Sequence, residues 1–160
     1  MLEIFDQLLR NFRRNTPQYI GKKVFVEKTL KKSIADLNRE QLLKGQGADG
    51  ESLPRYVDDP WFKSTESALR YQKWKSYISP GDKPIDVMDF FIDGTFHKTI
   101  KFKKDEEGFF TISNSEIVGS VQSKTNNNAL GINDESLEQI MPEIIKYAQE
   151  LLLQDLRKNI

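Results

Sequence analysis

The amino-acid sequence predicts an α+β fold from three observations. Residues 2–15, 24–44 and 65–78 and the C-terminal stretch carry apolar side chains at helical spacing. Period-two alternation is confined to the middle of the chain. The breaker run Ser79-Pro80-Gly81-Asp82-Lys83-Pro84 separates the two kinds of pattern. At 160 residues the chain suits one domain, read as 1–160. Its expected parts are a helical region over about 1–78, a β region over about 85–122 and a C-terminal helix over about 134–159.

In the first helix, Ile4, Phe5, Leu8, Leu9 and Phe12 share a face, and Thr16-Pro17 ends it, because a residue before proline avoids the α region. The second runs from about Val24 to Lys44 with Val26, Leu30, Ile34 and Leu37 as its stripe. Gly45 to Ser52 is a loop with three glycines. It is no phosphate cradle, since a helix precedes it and Glu51, not Gly-Lys-Ser/Thr, follows Gly50. Asp59-Pro60 makes a tight turn before Trp61-Phe62. The helix over 65–78 sets Ala68, Tyr71, Trp74 and Ile78 on one side as a half-buried face.

Beyond the break, Ile85 to Ile92 is apolar, and Asp93-Gly94 is a turn. Alternation from Phe96 to Lys103 predicts a strand with Phe96, Lys98, Ile100 and Phe102 on one face and His97 exposed on the other. A turn at Asp105–Gly108 and a return strand over Phe109–Ser113 complete a hairpin. Ile117–Val121 is expected to add a short strand, and 123–128 a polar loop. In the last segment Leu137, Ile140, Met141, Ile144, Ile145, Ala148, Leu152 and Leu156 recur at helical spacing. Pro142 predicts a short turn over about 134–140 and a main helix beginning at the proline. Leu151-Leu152-Leu153 puts apolar groups on more than one face, so Leu151 and Leu153 are candidates for a subunit contact.

Composition limits the function classes. Lys plus Arg and Asp plus Glu both number 24, a balance unsuited to wrapping nucleic acid or coating an anionic membrane. Aromatics interleaved with Lys73 and Lys75 are a pattern that stacks bases, but at helical spacing they read first as a packing face. Cysteine is absent, so disulfides and thiolate metal sites are excluded. No apolar run reaches the roughly 20 residues of a membrane span, and Met1 opens into an amphipathic pattern, so synthesis in the cytosol is expected. His97 is the only histidine, which removes the familiar zinc signatures. Asp82, Asp86, Asp89 and Asp93 lie close in sequence without an EF-hand pattern, and no Gly-x-Ser-x-Gly elbow is present. No cofactor or metal site is expected.

Several short motifs follow one another in a definite order. Leu37-Asn38 and Gln41-Leu42 precede Gly45 and Gly50. Tyr71-Gln72-Lys73-Trp74-Lys75 comes next, then the apolar Ile85–Ile92 with Gly94 and Phe96. Ser123-Lys124 and Ala129-Leu130-Gly131-Ile132-Asn133-Asp134-Glu135 close the series. The order resembles the phage virion morphogenesis, or tail-completion, family of head–tail joining and neck proteins. That family shows Tyr-x-x-x-Lys, then an apolar strand ending in Thr-Gly with an aromatic two residues on; Asp93 stands here in place of the threonine. The resemblance spans roughly residues 34–145. It implies N-terminal helices, a small antiparallel sheet with an extended hairpin, a long C-terminal helix packed on the sheet, and no catalytic residues.

The function expected from the resemblance is that of a non-enzymatic structural subunit of a tailed-phage virion. It would be made in the host cytoplasm and form a homo-oligomeric ring in the connector, neck or tail. Its partners would be other head–tail proteins, such as portal, connector or tail tube, with neither a membrane nor tight sequence-specific nucleic-acid binding involved. Phe102, Phe109 and Phe110 would anchor the hairpin base at a subunit contact, beside Leu151 and Leu153. Two alternatives stand: an adaptor that binds a partner protein transiently, and a small hydrolase using carboxylates that converge in space.

Overall fold

A computed structural model describes residues 23–79, 85–104 and 109–158. The expected helix over 2–15 and the turn at 105–108 lie outside these residues. The architecture is α+β: α1 (Lys28–Leu43), a 3-10 turn (Tyr56–Asp58), α2 (Thr65–Ile78), α3 (Thr95–Thr99), β1 (Ile100–Lys104), β2 (Phe109–Ser113), α4 (Val118–Lys124) and α5 (Asp134–Lys158). β1 and β2 form an antiparallel hairpin with Ile100 opposite Ser113 and Lys104 opposite Phe109.

α1 is the central element, because both of its sides are apolar. Leu30, Ile34 and Leu37 face one cluster with Val24 and Ile140, joined by Phe25, Phe102, Ile144, Tyr147, Ala148 and Leu151. Ala35 and Leu42 face a second cluster with Leu53, Val87, Phe96, Ile100, Val121 and Ala129. Val26, expected in the stripe, is exposed, since the helix proper begins at Lys28 with Glu27 as its N-cap.

Between the two apolar sides, Asn38 and Gln41 are buried polar residues that must find partners. The Asn38 amide donates to the carbonyls of Ala129 (3.1 Å) and Gly131 (2.7 Å). The Gln41 amide donates to Gly47 O (2.8 Å), and its oxygen accepts from Asn133 N (2.9 Å). Asn133 in turn caps α5, accepting from Ser136 N at 2.9 Å. Through these bonds α1 fixes where the C-terminal helix starts.

α1 ends in a Schellman motif. Gln46 N donates to Gln41 O (3.0 Å), Gly45 N donates to Leu42 O (2.9 Å), and Gly45 is left-handed at φ +73°. A Cβ on Gly45 would stand 2.7 Å from Val87 Cγ1. Gly45→Ala is therefore expected to lose about 1–2 kcal/mol from the left-handed backbone alone, and more from the clash. Urea unfolding measures it; a loss under about 0.5 kcal/mol, the size of an ordinary surface change, would show that the turn readjusts freely.

Four expectations are corrected. Residues 95–99 are helical: Gly94 sits at φ +80° and the Asp93 carboxylate accepts from Thr95 N at 2.8 Å, which starts a helical turn. The strand begins only at Ile100, and His97 is buried rather than exposed. Residues 85–92 form no strand; their extended contact is an isolated bridge between Val87 and Arg55. Ile117–Val121, expected to add a short strand, falls instead in the helix Val118–Lys124, which places Val121 in the core.

The fourth correction concerns α5, which runs unbroken through Pro142. Pro142 and Glu138 both face solvent, so the carbonyl that loses its helical donor is not stranded in the core. The face that meets α1 is Ile140, Ile144, Tyr147, Ala148 and Leu151, while Leu137, Met141 and Ile145 are exposed. The apolar positions cover a wider arc than α1 can bury, so Ile145 is not the core residue its spacing implied.

Candidate interaction surface

α2 exposes a different face from the one its pattern implied. Its buried residues are Ala68, Gln72 and Lys75, whereas Trp74 is exposed and Tyr71 half-buried. The lysine is drawn inward by a carboxylate. Lys75 Nζ lies 2.7 Å from Asp89 Oδ1, with side-chain exposures of 1% and 0%, and it also donates to Phe91 O. The same Asp89 oxygen accepts from Phe91 N (3.0 Å) and Tyr56 Oη (3.3 Å). Burial drives the Asp89 carboxyl up, but the bonds from Lys75 and Phe91 N outweigh it and hold it below its ordinary value. The Tyr56 hydroxyl is raised by burial and then by Asp89.

His97 completes this buried group. Its ring stands 5.5 Å from that of Phe91, and neither ring nitrogen has a hydrogen-bond partner among the described residues. Burial lowers its pKa to about 4; Asp89 opposes the shift, while Lys75 and Arg39 add to it. Arg39 reaches from α1 to the carbonyls of His97 (2.7 Å) and Ile100 (2.6 Å), joining α3 and β1 to the central helix. Lysine, aspartate, histidine and tyrosine side by side have the makings of acid–base chemistry. At exposures of 0–4% the lysine, aspartate and histidine are buried, and of the four only Tyr56 also borders an open cavity. What they do physically is pin α2, the 86–91 segment and α3 together.

The accessible feature lies beside that group. Tyr56, Trp61, Phe62, Tyr71, Met88, Phe90, Ile92, Ile117 and Val121 line an open cavity of about 380 Å³, with the Asp59–Lys124 ion pair in its wall. Its aromatics touch in a chain that continues outside the cavity to Trp74: Trp61–Phe62 at 4.9 Å, Phe62–Tyr71 at 5.3 Å and Tyr71–Trp74 at 5.4 Å between centroids. Trp61 is 72% exposed and Tyr77, one turn beyond Trp74, 76%. Phe90 holds φ +54°, a conformation costly for a bulky side chain, at the cavity wall.

The sequence-derived contact residues do not gather in one place. Phe102 packs on Phe25 (centroids 5.8 Å apart), and Leu151 packs into the same cluster, so both serve the chain's own core. Leu153 is exposed, as at least one of the leucine run had to be. Phe109 and Phe110 stand in β2 opposite Lys104 and Lys103; their side chains lie outside the described set. The neighbouring aspartates diverge as well: Asp86 pairs with Arg55 at 2.9 Å, Asp89 is buried, and Asp93 starts α3. Asp82 is outside the described residues. Among the described residues no three His, Asp or Glu side chains gather to hold a metal ion, and no helix is long and apolar enough to cross a membrane.

Sequence reading missed the Lys75–Asp89 pair and the cavity. The one available signal was the 68–72–75 spacing, which is a helical face; its polar members disguised it as a solvent face. Compared with family models, curated proteins and solved structures, the chain matches none.

Proposed function

We propose that the chain is a structural, non-enzymatic subunit of a tailed-phage particle, assembling with copies of itself into a ring at the head–tail junction or tail. The observation that carries the reading is uncovered apolar surface, which includes two separate clusters beside other exposed side chains such as Val26, Ile85 and Leu153. One is the aromatic face of Trp61, Trp74 and Tyr77; the other is the outer face of α5 with Leu137, Met141 and Ile145. A ring subunit must present two different surfaces, because a head-to-tail contact joins unlike patches. A transient adaptor needs only one. The order of the family-like motifs supports the same reading. The Asn38–Gln41 and Gly131–Asn133 motifs, far apart in sequence, meet through hydrogen bonds of 2.7–3.4 Å.

Light scattering and negative-stain microscopy of the purified protein, with mass spectrometry of purified particles, test this reading. Closed rings or stable incorporation into particles are expected. A chain that is monomeric at every concentration and absent from particles would sink it.

A further inference from the structure

We infer that the two uncovered surfaces are the two halves of one contact: the first half of α5 of one copy lies along the aromatic face of α2 of the next. The inference rests on the ring reading and names the surfaces that close the ring. Three observations carry it.

The first is charge. α2 contains Arg70, Lys73 and Lys75 against one acid, Glu66, which pairs with Arg70 at 2.6 Å; Lys75 is buried on Asp89, so Lys73 is the exposed positive charge the helix brings to this face. From Asp134 to Ile145, α5 contains Asp134, Glu135, Glu138 and Glu143 and no base; its first is Lys146. Laid against each other, the two segments bring opposite charges to the rim of an apolar contact, which steers association and disfavours like-with-like pairing.

The second is shape. Leu137, Met141 and Ile145 are spaced at i, i+4 and i+8 along α5 and line an open hollow of about 420 Å³ there. Across from it, Trp74 and Tyr77 stand exposed on α2 as rings that such a hollow can receive, and Trp61 and Tyr71 line the neighbouring 380 Å³ cavity.

The third is area. Trp61, Trp74 and Tyr77 at their observed exposures offer on the order of 400 Å² of uncovered surface. A stable interface covers about 800 Å² per partner, a little over half of it apolar. Trp, Tyr and Arg are also the residue types that dominate binding energy at such contacts.

The chain supplies its own probe. Its only two tryptophans, Trp61 and Trp74, both lie on this face. Concentration-dependent assembly should therefore shift tryptophan emission to shorter wavelength. Met141→Lys, at an exposed position, should keep the monomer's thermal midpoint while abolishing both the assembly and the shift. With no native cysteine, Tyr77→Cys and Ile145→Cys form a clean pair. Mixed and oxidised, the two single variants should cross-link to each other several-fold more than either does alone, in free protein or in particles.

Rings with unchanged tryptophan emission would overturn this contact and leave the ring reading intact. Self-cross-linking of the Ile145→Cys variant in preference to the mixed pair would do the same, since it marks a two-fold contact. A protein monomeric everywhere would overturn both. An emission shift on adding single-stranded oligothymidylate, without assembly, would assign the face to nucleic acid and end the proposal.

Discussion

Lys75→Met is expected to destabilise the fold by about 3–5 kcal/mol, the usual consequence of removing one member of a buried ion pair. The variant leaves the Asp89 carboxylate at 0% exposure with Phe91 N and Tyr56 Oη as donors but without its cation. Phe91 O loses a donor at the same time. Against a total stability of about 5–15 kcal/mol this is a large fraction, and α2, the 86–91 segment and α3 lose their common pin. The double variant Lys75→Met with Asp89→Asn should recover part of the loss. The asparagine oxygen still accepts from Phe91 N and Tyr56, and no charge remains buried. Urea unfolding of the wild type and both variants is the measurement. A single-variant loss below about 0.5 kcal/mol, within the range of surface changes, would show that Lys75 is solvated in solution and that the pair holds nothing.

Acid should destabilise the protein in a window set by His97. Its folded pKa, about 4, lies below the unfolded value of 6.5. The folded state thus binds its proton later than the unfolded state does. The resulting stability is present in full above about pH 6.5 and is lost as the pH falls through 4. The difference corresponds to about 3 kcal/mol at 1.36 kcal/mol per unit. The groups facing the imidazole explain the direction. Burial disfavours the cation, Lys75 and Arg39 repel it, and Asp89 compensates only in part. Asp89, held below 3.8, adds a further loss at still lower pH, since its stabilisation requires the ionised form. His97→Phe removes the titrating group within an aromatic setting of Phe91 and Phe96. Its stability should be flatter than that of the wild type between pH 6.5 and 4. Parallel pH profiles for the two proteins would show that His97 titrates normally.

Local pattern sufficed for α1, α2, the hairpin and the presence of a C-terminal helix. In each of these the apolar period, the breaker residues and the element length agree. Gly45 and Gly94 were readable as turns for the same reason: a left-handed backbone is a local demand that glycine meets. Local pattern failed where one spacing served two structures. Phe96 and Ile100 lie four apart, which fits both alternation and a helical turn, and the Asp93–Thr95 bond decides for the turn. Pro142 read as a helix start because the solvent around Glu138, which relieves the lost hydrogen bond, is invisible in sequence.

By itself, the sequence determined an α+β chain with amphipathic helices before the break, a hairpin and an amphipathic C-terminal helix. It did so because side-chain periodicity reports how much of each element must leave water. Only the tertiary structure decided which of those apolar faces found a partner. It turned Lys75 and His97 inward, because a carboxylate 14 residues beyond Lys75 closes on the lysine and packs beside the imidazole. It left Trp61, Trp74, Tyr77, Met141 and Ile145 outside, because α5 meets α1 and Phe102 on one side only, while α2 packs on the 3-10 turn and buries only Ala68, Gln72 and Lys75.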